Sequence, residues 1–205
     1  MSVPELLRTG PGDADKILVL AHGAGAPMDS PFMDAMAEGL ARHEVQVVRF
    51  EFPYMAARRR GKGGGPDREP VLRATWASVV EALGGGPKVF IGGKSMGGRM
   101  ASLVADELRV RGLVCLGYPF HPPGQLEKLR TAHLATLLTR ALIVQGERDT
   151  FGTRQEVEGY SLSTAIEVHF IADGDHSLET RKRSGRTTAE AWQEAIDKVA
   201  RFVNS

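Results

Sequence analysis

The chain has a single cysteine among its 205 residues, so no disulfide can form within it. A lone thiol suits a reducing compartment, and Leu113, Val114 and Leu116 around Cys115 mark a buried strand position rather than a reactive one. Neither sign of charge prevails: 26 Lys and Arg against 25 Asp and Glu leave +1 with His neutral. That balance supplies no general field for drawing in nucleic acid. Aromatic residues are scarce, at 6%, and none is interleaved in the basic clusters, where stacking of unpaired bases would require them. Apolar runs are short. None nears the ~20 residues that cross a bilayer, and the start, with Glu5, Arg8, Asp13 and Asp15, has no apolar leader core. A cytoplasmic protein without nucleic-acid or membrane partners is expected. A chain of this length can bury enough surface to fold as one domain over residues 1–205 without a disulfide or metal staple. Neither a metal nor a cofactor is expected.

What is present is an alternation. Short apolar, β-branched runs at residues 17–21, 45–50, 88–91, 113–117, 141–144 and 166–171 read as strands, with a weaker edge strand at 5–9. Several are apolar on both faces, as in a covered parallel sheet. Helical patterns lie between them. Ser30 and Pro31 form a cap and first-turn pair ahead of Met33, Met36 and Leu40. Pro70 opens a stripe of Leu72, Trp76, Val79 and Leu83, and a third helix is expected over residues 97–108. Thr187 and Glu190 make a capping box before Trp192, Ile196, Val199 and Val203. The expected fold class is α/β, a mainly parallel sheet of about seven strands with helices on both faces. Residues 58–67, RRRGKGGGPD, read as a mobile loop rather than a domain boundary.

One motif carries chemistry. Gly93-Lys94-Ser95-Met96-Gly97 follows the strand at 88–91 directly and leads straight into a helical pattern. A sharp strand-to-helix turn holds a serine in a strained conformation above the sheet, and the flanking glycines leave room for two backbones to meet. Gly93-Lys94-Ser95 also matches the end of a phosphate-binding loop, but Lys88 stands where that loop needs its first glycine. A serine needs a base to take its proton and a third group to orient that base. Asp149 stands just beyond the strand at 141–144, and His176 just beyond the strand at 166–171. Serine, acid and histidine thus follow in the order that a nucleophile elbow on a parallel sheet requires. Glu147 is expected to point into its turn, and Asp173 and Asp175 to shape the turn before His176. Backbone N–H groups of Met96 and of Ala24, with Gly25 as second choice, are the expected oxyanion donors. The latter two lie in the small-residue loop after residues 17–21, where His22 is read as a turn stabiliser. His121 and Lys94 are candidates for substrate contact.

These residues resemble the α/β-hydrolase superfamily on its dienelactone-hydrolase-like side. Three stretches, GYPFHPPG at 117–124, QGERDTFGT at 145–153 and GDHS at 174–177, are similar to the small subfamily that includes testis-expressed proteins and a subunit of the NSL chromatin complex. The resemblance implies a hydrolase sheet of eight strands or slightly fewer, with Ser95, Asp149 and His176 as its triad. Serine stands where dienelactone hydrolases use cysteine, so lactone chemistry is not implied. The connection between the strands at 113–117 and 141–144 is too short for a large lid domain. Arg58, Arg59, Arg60 and Lys62, and Arg181, Lys182, Arg183 and Arg186, fall on loops at the same edge and could draw in an anionic substrate or simply be solvated. The expected activity is hydrolysis of a small ester or thioester. The competing expectation is a fold-keeping protein that serves as a non-catalytic interaction module.

Overall fold

The computed structural model describes residues 3–205. Its centre is a seven-stranded sheet in the order β1-β3-β2-β4-β5-β6-β7. The strands are β1 (Leu6–Thr9), β2 (Lys16–Ala21), β3 (Val45–Phe50), β4 (Val89–Lys94), β5 (Gly112–Leu116), β6 (Ala141–Gly146) and β7 (Ile166–Ile171). Only β1 runs antiparallel, against β3; every other pairing is parallel. All seven expected strands are present, and no lid domain covers the sheet among the described residues.

Both faces are buried because the apolar runs alternate between two cores, as a period of two dictates. On β2, Val19 and Ala21 face one core while Leu18 and Leu20 face the other. On β5, Leu113 and Cys115 oppose Val114 and Leu116 in the same way. The first core is closed by α3 (Glu69–Ala82) through Leu72, Trp76 and Val79, and by α4 (Met96–Ser102) through Met100 and Ala101. The second is closed by α1 (Pro31–Ala41) and α7 (Thr188–Asn204), with Met33, Met36 and Leu40 packing among Ala195, Ile196 and Val199. Cys115 is fully buried, and desolvation pushes its thiol far above the ordinary range, which leaves it inert.

Two local expectations change. A short helix, α2 (Pro53–Arg59), precedes the glycine-rich loop and takes its first two arginines. Seven residues are too few to show a helical period, so only Pro53 at the first turn hinted at it. The helix expected over residues 97–108 breaks after Ser102, and α5 (Ala105–Leu108) resumes beyond it. The Ser102 hydroxyl donates to the Arg99 carbonyl oxygen at 2.7 Å, competing there with the Leu103 N–H, whose bond is stretched to 3.3 Å. The Val104 N–H then bonds three residues back, to Ala101. Near the C-terminal half, α6 (Arg154–Val157) adds a single turn after β6.

Candidate active site

The C-terminal ends of parallel strands gather the loops of this fold, and there the expected residues meet. Ser95 sits between β4 and α4 with φ 50° and ψ −116°, a conformation that costs a side-chain-bearing residue free energy. A Cβ on Gly97 would stand 2.6 Å from the His22 carbonyl oxygen, and one on Gly93 would stand 2.9 Å from the Gly97 backbone. Glycine at both positions is what lets β4, α4 and the loop after β2 meet.

The Ser95 Oγ lies 2.8 Å from His176 Nε2. On the other side of the ring, His176 Nδ1 lies 2.7 Å from Asp149 Oδ2. An Nδ1–H donating to the carboxylate leaves Nε2 free to accept the serine proton. Asp149 is wholly buried. Its Oδ1 accepts the Phe151 N–H at 2.8 Å, and its Oδ2 accepts from Gln145 Nε2 at 2.9 Å. The Phe151 ring stacks on the imidazole, with centroids 4.2 Å apart. Gln145 and Phe151 were not singled out from the sequence, although a glutamine ending an otherwise apolar strand was a usable signal. Gln145 is fully buried and also ties the Tyr118 N–H, at 2.8 Å, to this corner.

The neighbouring acids lie where turn roles put them. Glu147 Oε2 accepts the Asp173 N–H, and Asp175 Oδ1 accepts the Ser177 and Glu179 N–H groups. The loop after β2 is fixed by His22, whose Nδ1 donates to the Gly23 carbonyl oxygen at 2.7 Å while Nε2 accepts the Phe52 N–H at 3.1 Å. The Tyr54 hydroxyl donates to the Ala24 carbonyl oxygen at 3.1 Å. Among the described residues the N–H groups of Met96, Ala24 and Gly25 have no hydrogen-bond partner.

Burial lowers the pKa of His22, and the neutral ring is the form its two bonds require. In the unfolded chain the ring takes up a proton below about pH 6.5, whereas in the folded chain it does so only at lower pH. The unfolded state therefore binds more protons, so this contribution to stability is constant above about pH 6.5 and declines below it, by at most about 1.4 kcal/mol per pH unit. Thermal melts of His22→Asn should show a shallower acid decline than the native chain. Equal slopes would deny His22 this part.

The two candidate contacts lie differently. His121 is 1% exposed, with Nδ1 donating to the Pro122 carbonyl oxygen and Nε2 near Glu156, and it lines neither hollow beside Ser95. It braces the turn after β5. Lys94 does reach the wall of one hollow, but its ammonium is occupied: Nζ donates to the His176 carbonyl oxygen at 2.6 Å. Three members of the basic clusters are held in internal ion pairs. Arg59 engages Glu51 and Asp29, Arg181 engages Asp173, and Arg186 engages Glu194. No residue of either cluster lines the hollows at Ser95.

Two cavities flank the serine and share Ala24, Ser95 and Phe151. One, of about 480 Å³, is walled by Phe32, Met33 and Trp192. The other, of about 390 Å³, is walled by Met96, Met100, Leu72, Arg99 and Arg130.

The chain matches the Alpha/beta hydrolase domain family over residues 14–204. It belongs to that family. Among curated relatives of this α/β-hydrolase chain, the protein named "Putative protein-lysine deacylase ABHD14B" from Pongo abelii is 30% identical over 145 residues, covering 71% of this chain and 67% of the relative. Among solved structures, Est1E from Butyrivibrio proteoclasticus with ferulic acid bound superposes with a TM-score of 0.72 at 14% identity, covering 97% of this chain and 94% of that one. Dienelactone hydrolase from Anabaena variabilis gives 0.70 at 19% identity, covering 96% and 88%. At such identities the likeness establishes the hydrolase fold and nothing finer. Among the described residues no helix is long and apolar enough to cross a membrane.

Proposed function

We propose that this α/β-hydrolase chain is a serine hydrolase acting on a small or medium carboxylic ester or thioester, with Ser95 as nucleophile, His176 as general base and Asp149 as the group that orients it. The observation that carries the reading is the unbroken Ser95–His176–Asp149 hydrogen-bond chain, at 2.8 and 2.7 Å. The neutral imidazole takes the Oγ proton as the oxygen bonds to the carbonyl carbon. The carbonyl electrons move to oxygen, and the N–H groups of Met96 and Ala24, with Gly25 beside them, receive the negative charge. The imidazolium returns the proton to the leaving group as its bond to carbon breaks, which leaves an acyl-serine. Water, deprotonated by the same ring, then releases the acid and restores the serine.

The Pongo abelii relative has deacylase in its name, and removal of an acyl group from lysine uses the same tetrahedral chemistry. Acyl-lysine peptides therefore belong in the substrate screen beside esters and thioesters. The deciding experiment is a fluorophosphonate probe. Covalent labelling of the native chain that disappears in Ser95→Ala supports the enzyme, whereas a folded chain that never reacts supports an interaction module.

Lys94 enters as a positioning residue. It sits one residue before the nucleophile, nearly buried, and its ammonium grips the carbonyl of the base. Desolvation lowers its pKa to about 8, against a partial pull upward from Asp149 and then Asp175. As pH rises through about 8 the ammonium becomes an amine, and its charge-assisted bond to His176 weakens. Turnover should fall on that alkaline side. Lys94→Met should lose about ten- to a hundred-fold in kcat and lose the alkaline limb with it. A variant that keeps the limb would assign the fall to another group.

A further inference from the structure

The two hollows beside Ser95 differ in kind. The one bounded by Phe32, Met33 and Trp192 is apolar and suits a hydrocarbon portion of a substrate. The other contains two guanidinium groups, Arg99 from α4 and Arg130 from the segment after β5. Arg99 Nε is buried and has no hydrogen-bond partner. Its Nη2 lies 3.7 Å from Glu69, and that same carboxylate is shared with Arg73, also at 3.7 Å. Arg73 in turn reaches Glu107 at 3.0 Å. Asp67, the other acid on this wall, accepts the Tyr54 N–H at 2.8 Å. The Arg130 side chain has neither an ion pair nor a hydrogen bond among the described residues.

Arg130 is nevertheless held in place. Its backbone N–H donates to the Phe120 carbonyl oxygen at 2.7 Å, and its carbonyl oxygen accepts the Tyr118 hydroxyl at 2.9 Å. Burial, and then the neighbouring charge of Arg99, both act against its positive charge and lower its pKa. Two half-buried like charges stand together beside Ser95, one of them without a counter-charge, and an anion set between them would gain charge-assisted hydrogen bonds from both. Leu72, Met100, Pro119 and Phe151 give the same wall its apolar part.

We infer that this second hollow is an anion subsite in which Arg130, seconded by Arg99, binds a carboxylate carried by the ester or thioester substrate. A monoanion fits better than a dianion, because Glu69 already takes part of the Arg99 charge and the Asp67 carboxylate stands on the same wall as Arg130. Planar guanidinium forks also match a carboxylate in shape. The inference rests on the serine-hydrolase reading and narrows its substrate class to half-esters and acyl groups ending in an acid.

The test compares matched esters with the purified full chain. One pair puts the charge on the acyl side, mono-4-nitrophenyl glutarate against 4-nitrophenyl pentanoate. The other puts it on the leaving group, 3-carboxyphenyl butyrate against phenyl butyrate. In one pair the acid member should exceed its neutral partner in kcat/KM by about ten-fold or more at low salt, and the excess should shrink as salt is added. Arg130→Gln should bring that ratio close to one, Arg130→Lys should restore part of it, and Arg99→Gln should reduce it. No preference in either pair, or a preference untouched by both glutamine variants, overturns the proposal. So does a phosphate-bearing ester preferred over the carboxylate. A readout without turnover keeps the two readings apart: glutarate should raise the melting temperature of Ser95→Ala and fail to raise that of Ser95→Ala/Arg130→Gln. Loss of labelling and turnover with that shift intact would sink the enzyme and leave the anion site standing.

Discussion

Ser95→Ala should reduce ester hydrolysis on the order of a million-fold, His176→Ala should do about the same, and the double variant should be no worse than either. The reason is that, in the mechanism proposed above, the hydroxyl and the imidazole form one proton-transfer unit. The 2.8 Å contact between them has no use once either partner is gone. What survives is whatever the N–H groups of Met96 and Ala24 and the flanking cavities contribute to a water-driven reaction. The check is kcat for each variant with a reactive 4-nitrophenyl ester, together with circular dichroism to show an unchanged fold. A double variant far below both singles would mean that serine and histidine act in separate steps.

Gly97→Ala should destabilise the chain by at least about 3 kcal/mol, a fall in melting temperature of roughly 10 °C for a protein of this size. The added methyl would fall well inside van der Waals contact of the Ala21 carbonyl oxygen and 2.6 Å from that of His22. Both are main-chain atoms of β2 and the loop that follows, so no side chain can swing aside. Relief requires α4 to lift off the sheet, which also moves Ser95. Gly25→Ala is the control, since nothing lies within 4 Å of its added methyl; it should melt with the native chain. Differential scanning calorimetry separates the two outcomes. A Gly97→Ala chain that melts normally would mean that the elbow tolerates more backbone movement than its packing suggests.

Much of this architecture is readable along the chain because its signals are local. The strands announce themselves as short apolar runs, and the strict two-residue alternation between cores on β2 and β5 explains why both faces look apolar. The order of Ser95, Asp149 and His176, each one step past a strand, is likewise written in one dimension. What escapes is set by pairings between distant segments. Lys94 reads as a free cation next to the nucleophile, yet its partner is a carbonyl oxygen 82 residues away. His121 reads as a ligand on the catalytic edge, yet Glu156 and the fold of its own turn bury it. Arg99 and Arg130 share nothing in sequence, and only the folding of the segment after β5 back over α4 brings them to one wall. Gln145 shows the same limit. Its polarity is visible, but its task of holding Tyr118, Gly152 and Asp149 together depends on two loops.

In the serine-hydrolase reading, Phe151 connects speed and choice of substrate. The backbone N–H of this residue grips Asp149, its ring lies flat on the imidazole, and its other edges are partitions of both chambers beside the serine. A smaller side chain there would merge the chambers and at the same moment free the base to tilt. Retuning which molecules this protein accepts by mutation at position 151 will therefore slow it as well, and variants that broaden its diet without that penalty will have to be sought at Met33, Met100 or Trp192, which touch the chambers and leave the imidazole alone.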